Sequence, residues 1–159
     1  MCEIAVVLAE VNYMLSNIRK LAKKMLRNGQ CFDLCENLPH RYYEEDNLHG
    51  IFISEIEDFS EAVHALDKFL PYVDNWATCD LIAPKAFLTR PDELMGKIAQ
   101  WLSSSHTYTI RFAIGILMRY YLNEGFSKMH LAMVARIQTQ DYYVKMMISW
   151  YFATALAKQ

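Results

Sequence analysis

Glycine and proline are scarce in this chain, 5 and 4 among 159 residues, and no Gly-, Ser- or Pro-rich stretch divides it. A flexible linker between separately folded halves is thereby excluded, and residues 1–159 read as a single domain. Cysteine is sparse as well. Cys2, Cys31, Cys35 and Cys79 fall short of the density of a disulfide-stapled secreted scaffold, so reduced core thiols are expected. Cys31 and Cys35 stand four apart with His40 nearby, but the paired spacing of zinc knuckles is missing, and no metal or other cofactor is expected. No apolar run approaches the roughly 20 residues that span a bilayer. The apolar stretch from Ile4 to Leu8 has neither the basic leader nor the length of a signal-peptide core. A cytoplasmic protein with no membrane partner is the expectation.

What is present is an ordinary globular composition, 53% hydrophobic and 21% charged, which makes disorder the wrong class and leaves enough apolar material for a real core. The formal charge of −2 hides an asymmetry. Residues 1–74 carry 7 Lys or Arg against 13 Asp or Glu, net −6, whereas residues 75–159 carry 9 against 5, net +4. Nucleic-acid binding requires a local positive surface rather than a positive total, so the second half is the place to look for it, although asymmetry of this size is common on helical proteins.

Hydrophobic spacing is helical almost everywhere. Phe59, Val63, Leu66 and Leu70 mark an amphipathic helix with Asp58 and Glu61 placed as its capping box and Pro71 as its stop. Asp74 or Asn75 caps a shorter helix that Pro84 kinks or ends, and Pro91 opens the next, striped by Leu94, Ile98, Trp101 and Leu102. After the Ser103 to Ser105 turn, Ile110, Ile114, Leu117 and Tyr121 form a helix expected to end near Gly125. Ser127 caps another with Leu131, Val134 and Ile137, and Thr139 or Asp141 opens the last. Upstream, residues 3–27 read as one helix closed by Asn28-Gly29, followed by short helices over 30–37 and 41–54. The alternation of outer and inner helices predicts an all-α fold, a right-handed solenoid of antiparallel helix pairs of the HEAT or armadillo type. The final helix, with Val144, Met147, Ile148, Tyr151, Phe152 and Leu156, is apolar around much of its girth, and the expectation is a buried element that something covers.

Within this pattern one constellation stands out. Trp76 and Asp80 are four residues apart and share a helix face, and Arg111 and Trp150 follow at intervals of 35 and 39 residues. Helix-pair repeats recur at roughly 40 residues, and equivalent positions line one continuous surface. An aromatic, a carboxylate, a guanidinium and a second aromatic therefore fall on one predicted face. Each has a plainer reading: tryptophans on helices are usually core, and Asp80 could be a solvated residue or a partner of Lys85. Arg111 lies early in its helix, where the positive dipole end disfavours a cation, which hints at a specific partner. Trp101 reads as core, Glu44-Glu45-Asp46 as a solvated face, and Tyr42 and Tyr43 as packing between repeats in preference to touching DNA.

The stretch from about His40 to Gln159 closely resembles the AlkD-like DNA alkylation repair enzymes. The likeness rests on Tyr42-Tyr43-Glu44-Glu45-Asp46-Asn47-Leu48-His49-Gly50, Asp74 to Asp80, Tyr108-Thr109-Ile110-Arg111-Phe112 and Ser149-Trp150-Tyr151-Phe152-Ala153-Thr154-Ala155-Leu156. It resumes upstream around Ile18-Arg19-Lys20-Leu21-Ala22-Lys23. The resemblance implies HEAT-like repeats curved around duplex DNA and a glycosylase that releases bases alkylated at ring nitrogens. It casts Trp76, Asp80 and Trp150 as active-site residues and Arg111 as a DNA contact, one that grips a backbone phosphate or stabilises the site in preference to reading a base. It also implies further helices beyond the point matching Gln159, so the chain looks like a shortened member. A non-catalytic DNA-binding relative and a HEAT-like protein-interaction module are the alternatives.

The chemistry suits these residue types. A base alkylated at a ring nitrogen is cationic and leaves readily, so the demand falls on the sugar, where an oxocarbenium-like charge develops as the bond lengthens. A carboxylate such as Asp80 stabilises that charge and can orient a water, and Arg111 nearby would favour its ionised form. Indole faces attract a cation by roughly 0.5–2 kcal/mol, enough to favour a charged lesion over a neutral base by about 2- to 30-fold. The expected partner is double-stranded DNA carrying alkylated bases, bound by a monomer.

Overall fold

The computed structural model describes residues 16–29, 31–123 and 125–159. Every regular element among them is helical. They are α1 over residues 16–27, α2 (Phe32–Glu36), α3 (Tyr43–Ser54), α4 (Phe59–Phe69), α5 (Trp76–Leu81), α6 (Pro91–Leu102), α7 (Thr107–Tyr120), α8 (Lys128–Ala135) and α9 (Tyr142–Lys158). Two 3-10 turns, Leu70–Tyr72 and Lys85–Thr89, follow α4 and α5. The all-α class is observed; the part of the expected first helix before residue 16 lies outside the described residues.

The helix starts are set by side chains that take up otherwise unpaired backbone N–H groups. Asp58 accepts from the Glu61 amide at 2.9 Å, and Asn75, rather than Asp74, accepts from the Thr78 amide at 2.8 Å. Asp141, rather than Thr139, accepts from the amides of Tyr143 and Val144 at 2.8 and 3.1 Å. The carboxylate of Glu45 reaches back to the amides of Arg41 and Tyr42, both at 3.0 Å, to open α3. Gly29, at φ 66°, adopts the left-handed conformation just past α1 that glycine takes without steric penalty. One boundary differs from the reading above. Helix α7 stops at Tyr120, not near Gly125, because Tyr121 and Leu122 turn into the core and the Tyr121 hydroxyl donates to the Pro91 carbonyl at 2.7 Å.

Packing follows chain order: α3 meets α4 and α5, α5 meets α7, and α7 lies against both α6 and α9. The main core runs from Ile53 through Phe69, Ile82, Ile98 and Ile114 to Tyr151. A smaller cluster joins Ile18 and Ala22 of α1 to Leu48, Ile51 and Phe52 of α3. Trp101 is core, as expected, with its indole N–H donating to Asp67 at 2.9 Å. Close approach of α3 to the chain leaving α5 requires Gly50, since a Cβ there would sit 2.9 Å from Cγ1 of Ile82. The last helix is buried on one face only, through Val144, Met147, Tyr151 and Ala155, while Leu156 is 84% exposed. The cover expected over this helix is present on a single side, where α7 and α8 pack.

Candidate functional site

The i, i+4 spacing of Trp76 and Asp80 occupies nearly the whole of α5, a helix of 6 residues. Asp80 therefore lies in its last turn, where the negative end of the helix dipole disfavours a carboxylate. Two arginines of α7 offset this. Arg111 donates from Nε to Oδ1 at 2.9 Å and from Nη2 to Oδ2 at 2.6 Å, a two-pronged pair that fixes the plane of the carboxylate. Arg119, two turns further along α7, donates to the carbonyls of Asp80 at 3.1 Å and Ile82 at 3.3 Å, closing the end of α5.

Arg111 is buried, its side chain 1% exposed against 23% for Asp80. Its Nη1 donates to the carbonyl of Tyr143 at 2.9 Å, so every guanidinium nitrogen is bonded inside the protein. Burial opposes its charge, but the hydrogen bond and attraction of Asp80 outweigh that and hold its pKa above the ordinary value. The early-helix cation thus has the specific partner its position called for. The part expected of it, contact with DNA, does not fit this geometry: the guanidinium faces inward, tying α5 to α9 through α7, and it offers no exposed nitrogen to a phosphate. Lys85, considered above as a partner for Asp80, lies 3.7 Å from Glu55 instead.

The two tryptophans are not core. Trp76 and Trp150 are each 51% exposed, in contrast to Trp101 at 4%. Trp150 and Asp80 line one small cleft of about 70 Å³ between α5, α7 and α9, with Phe112, Gly115, Arg119 and Met147. Trp76 stands one turn before Asp80 on α5. Tyr42 and Tyr43, for which packing was favoured, are also exposed, at 55% and 39%. They flank the first turn of α3, whose buried face starts only at Asn47, so their rings have no neighbouring layer to enter.

Cys79, next to Asp80, is buried and donates weakly to the Tyr108 carbonyl at 3.4 Å; burial pushes its thiol far above the ordinary range, which leaves it a core residue and not a nucleophile. Among the described residues, no three His, Cys, Asp or Glu side chains gather as a metal-ligating group. Arg119 and Gly115 were missed from the sequence. Arg119 is legible in retrospect: it falls eight residues after Arg111 on the same helix, which returns it to the same face.

A family model described as DNA alkylation repair enzyme matches residues 13–155. No curated protein and no solved structure matches the chain. With nearly all of its length under that one model, the chain belongs to the DNA alkylation repair enzyme family.

Proposed function

We propose that this protein is a DNA glycosylase that hydrolyses the N-glycosidic bond of alkylated, cationic purines in duplex DNA. The observation that carries the reading is Asp80, locked in plane by Arg111 and opening on the same cleft as Trp150. Each carboxylate oxygen spends one lone pair on Arg111 and keeps another, so the group can face a sugar while its orientation is already set. In this reading Asp80 stabilises the oxocarbenium-like charge and orients the attacking water. Trp76 and Trp150 present their faces to the positively charged lesion. Arg111 is a positioning residue: it holds Asp80 and does not itself touch the DNA.

The cleft is far smaller than the ~300–1,000 Å³ of pockets that enclose small ligands. The lesion is accordingly met at an open surface, with no base engulfed. A right-handed solenoid of antiparallel helix pairs is part of the same proposal, supported by the stacking of α3, α5, α7 and α9 in chain order. So is action as a cofactor-free monomer in the cytoplasm.

The test is release of 3-methyladenine or 7-methylguanine from methylated duplex DNA. Asp80→Asn keeps the size of the side chain but removes its charge and one prong of the pair with Arg111, and should slow release by about 10²–10³-fold, the usual loss when one preorganised charge-stabilising group is removed. Duplex binding that weakens with salt but releases no base would make the chain a non-catalytic DNA-binding relative. Absence of both would leave a helical protein-interaction module.

A further inference from the structure

Dividing the charge by halves conceals the most basic segment of the chain. Residues 16–29 hold Arg19, Lys20, Lys23, Lys24 and Arg27 and no acidic residue. At 100° per residue these five fall within one arc of the helix, while Ile18, Ala22 and Met25 fall on the other. The structure divides α1 accordingly. Ile18 and Ala22 are buried against α3, and all five cations are exposed. None of the five lies within 4 Å of a carboxylate among the described residues, whereas Lys68, Lys85, Arg90 and Lys97 all do.

This face adjoins α5, the element that carries Asp80. Arg19 and Lys23 share a groove with Glu55, Leu81 and Lys85, and Leu81 directly follows Asp80. Lys23 also borders a second, open groove with Lys20, Lys24 and Arg27. Arg19 and Lys23 thus reach the end of α5, and Lys20, Lys24 and Arg27 extend the basic surface across the outer face of α1.

We propose that the basic face of α1 grips the phosphodiester backbone of the duplex at a distance from the lesion, holding the DNA while Asp80 works. The inference rests on duplex DNA being the partner at the site described above. Lysines on consecutive helical turns suit a phosphate backbone because they contribute charge without reading bases, which a repair surface needs if it must act in any sequence. An anionic membrane could also attract such a helix, but membrane-surface helices bury their apolar face in lipid, and that of α1 is already spent on Leu48, Ile51 and Phe52.

The experiment measures binding of the full chain to an undamaged duplex by fluorescence anisotropy over about 50–200 mM salt, where each neutralised phosphate contributes close to 0.9 to the slope of log K against log salt. The triple substitution Lys20→Gln/Lys23→Gln/Lys24→Gln should lower that slope by about 2–3 and weaken binding about tenfold or more, with Lys24→Gln alone lowering it by about 1. Replacing the same three lysines by arginine should restore it. An unchanged slope in both the triple and the single variant overturns the proposal. So does an equal loss per charge from Lys128→Gln/Arg136→Gln, at the start of α8 and just past its end, which would reduce the effect to net charge. Binding to phosphatidylserine vesicles that the triple substitution abolishes while the duplex slope stays put would assign the face to a membrane instead. Because the duplex carries no lesion, failure of the wild-type chain to release any base would sink the glycosylase reading and leave this result standing. An unchanged slope beside intact base release would sink only the grip.

Discussion

Asp80 and Arg111 divide the work of the site between exposure and burial. The acid keeps a solvent-facing edge, and the cation is fully enclosed and serves the acid. Removing the cation should therefore cost stability as well as activity. Arg111→Ala leaves the Asp80 carboxylate without its paired donors and the Tyr143 carbonyl with only its helical partner, and the loss should be about 3 kcal/mol, the lower end for breaking a buried pair because Asp80 retains some contact with water. Urea denaturation measures it. Arg111→Lys should regain part of that stability but not the orientation of Asp80, since an ammonium cannot make the two-pronged pair, so base release should stay low although the protein melts later than Arg111→Ala. The three tryptophans offer a parallel contrast. Trp101→Ala, in the core, should destabilise by about 3–5 kcal/mol. Trp76→Ala and Trp150→Ala, both half exposed, should shift the urea midpoint far less while lowering release of a cationic base by about 2- to 30-fold.

Helix α5 is too short to be stable alone and is held at both ends by side chains from outside its turns. Asn75 caps the start, and Arg119 closes the finish. Asn75→Ala should cost about 1 kcal/mol, as loss of an N-cap does, and should lower base release further because Trp76 and Asp80 ride on the same six residues. Gly50 is what allows α3 to approach the chain leaving α5 so closely. Gly50→Ala would gain about 1 kcal/mol in helix propensity, yet it drives a methyl into Ile82, and the clash should win, leaving a net loss of about 1–2 kcal/mol in thermal or urea melts. Caps were the most legible elements in the sequence, because an Asp, Asn or Ser before an apolar stripe is a local signal. The end of α7 was less so: Tyr121 leaves the helix to reach Pro91, a contact across 30 residues that no local pattern announces.

The stability of the molecule as a whole should respond to acid through two opposing groups on α3. Burial, with the charges of Asp74 and Glu45, raises Asp46 to about 6. Burial, with the neighbouring His40, lowers His49 to about 4. For Asp46 the folded state holds its proton more tightly than the unfolded chain does, so this stabilisation is present at low pH and is lost as pH rises through about 6. For His49 the folded state binds the proton less tightly, so its stabilisation is complete above about 6.5 and is lost as pH falls toward about 4. Between pH 4 and 6 the two slopes oppose one another. Asp46→Asn should remove the falling contribution, making stability climb more steeply with pH over that range, and His49→Gln should do the reverse. Urea midpoints at a series of pH values would show it, and two variants with the same slope would contradict the assignment.

From residues alone came the all-helical class, the turns, the caps and the four members of the constellation, because each depends on spacing along a single helix or on the choice of side chain at a helix end. Their roles depended on the third dimension. Whether a tryptophan is core or surface is a matter of what packs over it, and α9 shows how far an apolar helix can remain open on one side. Of the two roles open to Arg111, phosphate contact or support of the site, its inward direction favours the second, and that direction is set by α5 and α9, elements more than 30 residues away in the chain. The basic face of α1 was written in the sequence throughout, but only the docking of Ile18 and Ala22 onto α3 decides that those five cations look outward.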